Sequence, residues 1–303
     1  MLISRSKDFI MSSIISYDIT AWNPSPTKEI QSEIIEQLEK GKVIYFPKLT
    51  FPINLDQGVF LDPNYLSKGQ KNISYDPKTQ SFKGLNPQKQ NVAPLKEIIK
   101  DFSTRATQLI TTLFPYYHSK FRIGRTSFRP AEIAGRKTSY RKDDTRLHVD
   151  AFPSTPMQGE RILRLFCNIN PYNQPRQWHL GESFGQVIKQ FAPAVSPPLP
   201  LAHTLLNLLG ITKRKRSLYD HYMLKIHNTM KGDEEYQKKA IQEKIAFPAN
   251  TTWVVFTDLV SHAALSGQHL LEQTFYIPPT AQFSPQYSPL KKLETLLGHN
   301  LLK

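Results

Sequence analysis

Residues 248–262 read PANTTWVVFTDLVSH, and this stretch decides the fold. It starts with a turn signal at Pro248 and continues into β-branched and aromatic residues, 252–257, that predict a buried strand. Asp258 marks a short turn, and a second strand is expected to open near His262. The pattern therefore predicts a β-rich core in which His262 has a fixed position.

Before the stretch 248–262, the predicted helices precede most of the predicted strands in the sequence. Strands are predicted over 121–128 and 161–169, and amphipathic helices over 28–40 and 95–113. The polar residues 66–92 are expected to form a long surface loop. This order predicts a mainly β protein with flanking helices around a double-stranded β-helix core, of the jelly-roll or cupin-like type.

The division of the chain follows from the same pattern. A single domain, 1–303, is expected because there is no linker-like stretch and no internal repeat. Within it, residues 1–120 should form a helical buttress with the first strands. Residues 121–280 should form the jelly-roll core, which carries a metal site and a helical insertion around 200–245.

A candidate metal motif lies in residues 146–153, RLHVDAFP. On an extended segment His148 and Asp150 point to the same side, so both can bind one cation. His262, 114 residues after His148, is the expected third ligand. Two histidines and one carboxylate leave one face of an octahedron open, which is typical of non-haem Fe(II) oxygenases and not of closed structural zinc sites.

Other histidines compete for the third position, since the chain has nine. His269 follows the turn signal Ser266-Gly267 and is more consistent with a surface or supporting residue. His221 and His227 lie in a segment that looks helical, and His179 is expected to lie in a polar loop. The sequence therefore favours His262.

Charge and cysteine content narrow the class of protein. The 39 Lys and Arg residues against 25 Asp and Glu give a net charge of +14, which predicts an anionic partner: a nucleic acid, a membrane surface or a phosphorylated ligand. No nucleic acid is expected, because no helix-turn-helix, zinc-finger or aromatic-rich RNA motif is present. One cysteine, Cys167, excludes an intramolecular disulfide and favours the cytoplasm, with a peripheral position on the inner face of the inner membrane as an extension.

Eight basic residues lie between positions 122 and 146 and lead into the metal motif. Guanidinium groups match carboxylates and phosphates in geometry, so this segment is expected to bind an anionic substrate near the metal. The alternative is an ordinary solvated basic face. The candidate substrate contacts are Arg125, Arg129, Arg136, Lys137 and Arg146.

Several longer strings resemble the Kdo hydroxylases, in which Kdo is 3-deoxy-D-manno-octulosonic acid. They are TSFRP (126–130), GRKTS (135–139), KDDTRLHVDAFP (142–153), RILRLFCNINP (161–171), YDHYM (219–223) and SHAA (261–264). The resemblance implies a dioxygenase that uses Fe(II), 2-oxoglutarate and O2 to hydroxylate C3 of Kdo in the lipopolysaccharide inner core, with Kdo-lipid A or a related glycolipid as partner. The family's metal ligands fall on His148, Asp150 and His262.

An enzyme of this kind must also neutralise the distal carboxylate of 2-oxoglutarate. After His262 the next basic residue is Lys291, too far along the chain for the usual position of that cation. Arg164 is preferred because apolar residues flank it, and an unpaired charge there would be expensive. Arg161, at the strand's edge, is the rival, and Thr145 is a further candidate.

Residues 197–216 join an apolar segment to the basic run Lys213-Arg-Lys-Arg216. One interpretation is an interfacial anchor on an anionic membrane, and the other is a core helix that ends in basic residues. The oligomeric state stays open. Two other functions also stay open: a 2-oxoglutarate-dependent hydroxylase of a protein side chain or small molecule, and a non-enzymatic basic protein that binds lipopolysaccharide or nucleic acid.

Overall fold

The computed structural model describes residues 13–54, 58, 61–199 and 201–302. The strands are β1 (Ile14–Ser16), β2 (Val43–Phe46), β3 (Ile73–Asp76), β4 (Ser81–Lys83), β5 (Arg122–Arg129), β6 (Arg161–Asn168), β7 (Arg176–Leu180), β8 (Glu243–Phe247), β9 (Thr251–Phe256), β10 (His262–Ser266) and β11 (Leu270–Ile277). The helices are α1 (Lys28–Glu39), α2 (Ala93–Leu113), α3 (Phe184–Phe191), α4 (Ala202–Leu208), α5 (Leu218–Gly232), α6 (Glu234–Lys239) and α7 (Pro289–Leu297).

These strands form two sheets of a jelly roll. The larger sheet has the order β1-β2-β9-β6-β11-β5-β3-β4, and the smaller sheet has the order β10-β7-β8. Neighbouring strands are antiparallel except for the parallel pair β1 and β2. Strands distant in sequence become neighbours, which confirms the predicted mainly β fold with flanking helices.

An aromatic cluster holds the two sheets together. Phe247 of the smaller sheet stacks on Trp253 of the larger sheet with 4.0 Å between ring centroids. Trp178 meets Phe166 edge-on at 5.2 Å and Trp253 at 5.7 Å. Because each such pair contributes about 0.5–1.5 kcal/mol beyond its buried area, the cluster fixes the separation of the sheets beside the metal motif.

Helices α1 and α2 pack against the larger sheet. Thr27 caps α1 by accepting a hydrogen bond from the Ile30 amide. On α2, Ser103 donates a hydrogen bond to Gln273 of β11 at 3.1 Å, in the buried interface between helix and sheet. The helices therefore cover one face of the large sheet and leave its other face to the smaller sheet.

Residues 248–262 fold as the sequence predicts. Strand β9 covers the expected buried run, and β10 begins at His262. All six residues of β9 are buried, because β9 lies inside the larger sheet between β2 and β6.

Two predictions about loops are wrong. Residues 66–92 were expected to form a surface loop, but they carry the β3–β4 hairpin, which extends the large sheet through β5. His179 was placed in a polar loop, but it lies in β7, where Arg176, Trp178 and Leu180 alternate toward the interior. Alternation of buried and partly exposed residues over only five positions is a weak sequence signal for a strand. Pairing with β8 and β10 on either side stabilises β7.

The interpretation of residues 197–216 as a core helix is also wrong, because no residue of α4 is buried. Leu201, Leu205 and Leu208 are 80%, 56% and 79% exposed. Within the described residues, no helix has the length and apolar character needed to cross a bilayer.

Candidate metal centre and its cavity

His148, Asp150 and His262 come together between the two sheets. The backbones of His148 and His262 exchange two hydrogen bonds, 3.0 and 2.9 Å long, as one antiparallel bridge. Two residues on, the Asp150 amide donates to the Thr257 carbonyl at 2.8 Å. Backbone pairing therefore places the motif beside the start of β10.

Both imidazoles are held in one tautomer. His148 Nδ1 lies 2.7 Å from the Arg146 carbonyl oxygen, and His262 Nδ1 lies 2.8 Å from the Val260 carbonyl oxygen. A carbonyl oxygen only accepts, so each Nδ1 carries the proton and each Nε2 keeps a free lone pair. This backbone support for the ring is common among histidines that bind metals.

The three side chains offer ligand atoms that all lie within 4.8 Å of one another. His148 Nε2 and Asp150 Oδ1 are 3.6 Å apart, and the two imidazole centroids are 4.6 Å apart. Asp150 Oδ2 is buried and lies 2.9 Å from Arg164, an ion pair without hydrogen-bond geometry, so none of the described residues donates a hydrogen bond to it. Two nitrogen lone pairs and an under-satisfied carboxylate are the donor set that a divalent transition metal requires, so these residues fit such an ion.

The surroundings of the three side chains favour neutral imidazoles and an ionised carboxylate. Burial lowers the pKa of His148, and it lowers the pKa of His262 to about 4. Burial alone would raise the pKa of Asp150, but Arg164 and the two imidazoles hold it well below its ordinary value. Neutral imidazoles beside an ionised carboxylate are the coordinating forms.

Two aromatic rings fix the orientation of the imidazoles. Trp178 stacks on His262 with 5.2 Å between centroids, and His227 meets His148 edge-on at 5.2 Å. His227 is itself anchored through Nδ1 to the Val149 carbonyl oxygen at 2.7 Å. Helix α5 is thereby packed against the metal motif.

A cavity of about 540 Å³ opens over the three side chains, a size suited to small-molecule ligands. Its wall carries seven lysine and arginine side chains but three carboxylates. The cations are Lys71, Arg129, Arg141, Lys142, Arg164, Arg176 and Lys231, and the carboxylates are Asp144, Asp150 and Glu272. The excess of positive charge favours anionic ligands.

One side of the cavity is an ion-pair network across three adjacent strands. Arg164 on β6 lies 2.9 Å from Asp150 Oδ2 and 2.7 Å from Glu272 Oε1 on β11. Arg129 on β5 lies 2.8 Å from Glu272 Oε2. Arg164 is thus shared between two carboxylates and orients Asp150.

The opposite side, on β7, presents polar hydrogens without acceptors. Arg176 donates to the Gly267 carbonyl at 2.7 Å, but among the described residues its buried Nε has no acceptor, and neither has the buried Trp178 Nε1. No carboxylate of the described chain forms an ion pair with Arg176. Burial and the nearby charges of Arg129 and Arg136 lower the pKa of Arg176. An anion beside β7 would accept hydrogen bonds from these donors and would balance the charge of Arg176.

The residues predicted as anion contacts separate into two groups. Arg164 and Arg129 line the cavity. Arg161 does not: it is fully buried and pairs with Asp258 at 2.9 Å, so it cannot reach the cavity contents as proposed. Thr145 is also absent from the cavity wall, since its hydroxyl donates to Asp143 at 2.7 Å.

The other basic candidates also lie off the cavity wall. Arg125 pairs with Asp76, and Arg146 pairs with Glu234. Arg136 donates to the Ala131 carbonyl, and Lys137 is exposed. The prediction that these four line the substrate site is therefore not supported by their positions.

The other histidines considered from the sequence do not belong to the group of three candidate ligands. His269 is buried beside Asn170 and does not line the cavity. His221 binds the Ser196 carbonyl, and His179 faces Gln242. His227 lines the cavity and supports His148, without joining the group of three.

The chain matches the family model described as 3-deoxy-D-manno-oct-2-ulosonic acid (Kdo) hydroxylase over residues 21–300. It is similar to crystal structures of the Kdo hydroxylase KdoO, a non-haem Fe(II) α-ketoglutarate-dependent dioxygenase. The complex of KdoO with α-ketoglutarate and Fe(III) is 50% identical, with a TM-score of 0.90 over 95% of this chain and 97% of that chain. The cobalt(II) complex is 50% identical, with a TM-score of 0.92 over 96% and 98% of the two chains. Among curated proteins no match was found.

Proposed function

This chain belongs to the Kdo hydroxylase family, and we propose that it is an Fe(II)- and 2-oxoglutarate-dependent dioxygenase that hydroxylates C3 of Kdo in Kdo-lipid A. The observation that carries the proposal is the group His148, Asp150 and His262, with both Nε2 lone pairs free, at the floor of a basic cavity. In this proposal the three residues hold the iron. The cavity over these residues would take 2-oxoglutarate, the name used here for α-ketoglutarate, and O2.

The bound iron would supply oxidation of a C–H bond, coupled to conversion of 2-oxoglutarate and O2 to succinate and CO2, with one atom of O2 entering succinate and the other entering the new hydroxyl group of the acceptor. The chain's own residues orient the reactants and exclude water. Arg164 holds the Asp150 carboxylate, while Trp178 and His227 fix the two imidazoles. Such support keeps the ligands in place before the cosubstrate binds.

For the distal carboxylate of 2-oxoglutarate we propose Arg176, assisted by the Trp178 indole. Both donors are buried without acceptors among the described residues, both lie on β7 in the cavity wall, and Trp178 stacks on His262. Arg164, the residue preferred from sequence, is the alternative. Its charge is already balanced by Asp150 and Glu272, so it gains less from another carboxylate.

We further propose that the exposed apolar segment and the basic run that follows it bind an anionic membrane. Leu199, Leu209 and Ile211 are 78%, 64% and 54% exposed and add to the apolar surface of α4. The basic run is joined to the cavity wall, because Arg216 donates to the Pro153 carbonyl and Pro153 lines the cavity. A lipid-linked acceptor would then enter from the membrane side.

The membrane proposal has a matched test. The double variant Leu205→Gln/Leu208→Gln should lose cosedimentation with vesicles that contain anionic lipid at moderate salt. Ile241→Gln, which alters a side chain that is 79% exposed outside this segment, should keep it. Equal binding by both variants would refute the proposed surface.

The enzymatic proposal is tested by mass spectrometry. Purified protein with Fe(II), 2-oxoglutarate, O2 and Kdo-lipid A should release succinate and add one oxygen atom to Kdo. Lipid extracts from cells with and without the gene should differ by the same oxygen atom. Succinate release with an unrelated acceptor, and none with Kdo-lipid A, would favour a hydroxylase of another substrate.

A further inference from the structure

Lys231 is a buried cation in the cavity wall with no ion-pair partner. The residue is 2% exposed and lies in the last turn of α5. Its side chain lines the cavity together with Leu224, His227 and Asn228. Leu224, His227 and Asn228 precede Lys231 by seven, four and three positions, so all four residues lie on one face of α5. That face lines the cavity.

The carboxylates near Lys231 are already occupied. The charges of Asp144, Asp150 and Asp143 act on Lys231. Yet Asp144 pairs with Lys71 at 2.9 Å, Asp150 with Arg164 at 2.9 Å and Asp143 with Arg146 at 3.4 Å. Within the described chain the Lys231 ammonium has no hydrogen bond or ion pair of its own.

Burial of the side chain disfavours the charged form and lowers the pKa of Lys231, because an ammonium group set in the cavity wall is only partly hydrated. An anion of the ligand would remove that cost. Because His227 contacts the His148 ring, and Lys231 follows His227 by one helical turn, this cation lies close to the metal motif. Since the distal carboxylate of 2-oxoglutarate is assigned to Arg176, the anion that Lys231 binds is expected at the reacting end of the acceptor.

The chemistry of a 3-deoxy-2-ulosonic acid supplies such an anion. Its C1 carboxylate is separated from C3 by a single carbon atom, C2. We propose that Lys231 binds the C1 carboxylate of the Kdo acceptor and so presents C3 to the metal. This inference rests on the proposed function and names the group by which the acceptor is selected.

The acceptor itself provides the first test, which needs no variant. Wild-type protein is assayed with Kdo-lipid A and with the same compound whose Kdo C1 carboxylates are methyl esters. The ester should have a KM about 10- to 100-fold higher, the loss typical of a hydrogen bond to a charged group. Equal KM values for acid and ester would overturn the inference.

The second test uses Lys231→Gln and Lys231→Arg, with Lys225→Gln as the control. Lys225 is exposed on the same helix. Lys231→Gln should raise the KM for the acid by about 10- to 100-fold and should not distinguish acid from ester. Lys231→Arg should recover part of the preference for the acid, and Lys225→Gln should behave as wild type.

Cosubstrate binding separates this role from a structural one. Anaerobic titration of Fe(II)-loaded Lys231→Gln with 2-oxoglutarate should give a midpoint within about twofold of wild type. A lost or strongly shifted midpoint would instead assign Lys231 to the cosubstrate or to the metal site and overturn the inference. If wild-type protein does not hydroxylate Kdo-lipid A at all, the proposed function fails as well. If wild type is active and Lys231→Gln retains its preference for the acid, the inference alone fails.

Discussion

The buried pair Arg161–Asp258 gives the sharpest prediction about stability. Arg161 Nε lies 2.9 Å from Asp258 Oδ2, and both side chains are 1% exposed. The guanidinium also stacks on Phe256, 3.8 Å from the ring centroid, while its Nη1 and Nη2 have no acceptors in the described part of the chain. Burial raises the pKa of Asp258 although Arg161 opposes the shift. For the Asp258 carboxylate, desolvation therefore outweighs the opposing effect of Arg161.

Removing one partner should be far worse than removing both. Asp258→Asn leaves a guanidinium buried without a counter-charge and should lower the free energy of unfolding by about 3–5 kcal/mol. Replacement of both residues, Arg161→Met with Asp258→Leu, should recover most of this loss, because no charge then remains to be desolvated. The exposed pair Glu235–Lys239 provides the control: Glu235→Gln should cost under about 1 kcal/mol.

Thermal and urea unfolding measure these differences. At roughly 2–4 °C per kcal/mol, Asp258→Asn should lower Tm by roughly 6–20 °C, whereas the double variant should lie near wild type. The folded double variant should also keep wild-type affinity for 2-oxoglutarate, because Arg161 does not line the cavity. A Tm for Asp258→Asn equal to that of the Glu235→Gln control would refute the reasoning.

Three other predictions concern the cosubstrate, the sheet and the metal. Arg176→Gln should weaken 2-oxoglutarate binding about 10- to 100-fold in an anaerobic titration, whereas a larger loss in Arg164→Gln with unchanged metal affinity would favour the alternative arginine. Gly124→Ala should lower the free energy of unfolding by about 1–3 kcal/mol, because the new Cβ would lie 2.8 Å from the Tyr276 ring and 2.9 Å from the Thr274 carbonyl; wild-type stability in urea would contradict this contact. Cobalt(II) at about 100 times its Kd should stabilise wild-type protein by about 2.7 kcal/mol, and a chelator should reverse the shift in Tm; the same shift in His148→Ala would contradict the assigned site.

The metal motif could be predicted from sequence because short-range rules govern it. Alternation along an extended segment puts His148 and Asp150 on one side, and the β-rich pattern before His262 fixes the start of β10. Family-specific strings then separated this chain from other proteins with the same triplet. Nothing in these steps required knowledge of distant contacts.

The anion contacts could not be predicted in this way. Arg125 and Arg129 share a face of β5, yet they lie about 13 Å apart along the strand, so only Arg129 reaches the cavity. Lys71 and Lys231 come from a loop and a helix far apart in sequence, and only the tertiary fold brings them together. Arg176 lies in a short strand with polar neighbours. Its alternation with Trp178 and Leu180 was the one signal that could have revealed it.

The buried arginines of β6 show the same limit. The sequence predicts burial for Arg164, which apolar residues flank, and places Arg161 at the edge of the same strand. In the structure Arg161 is fully buried, and both arginines pair with carboxylates of the protein: Arg164 with Asp150 and Glu272, and Arg161 with Asp258. Which partner neutralises a buried charge depends on strands that are remote in the chain.

The central claim is that His148, Asp150 and His262 share one ferrous ion that also binds 2-oxoglutarate. Anaerobic addition of Fe(II) and 2-oxoglutarate to the protein should produce a weak visible absorption band. The band should disappear in His148→Ala, Asp150→Ala and His262→Ala, and it should persist in His269→Ala. A wild-type protein without the band, or a His262→Ala variant that retains it, would contradict the account.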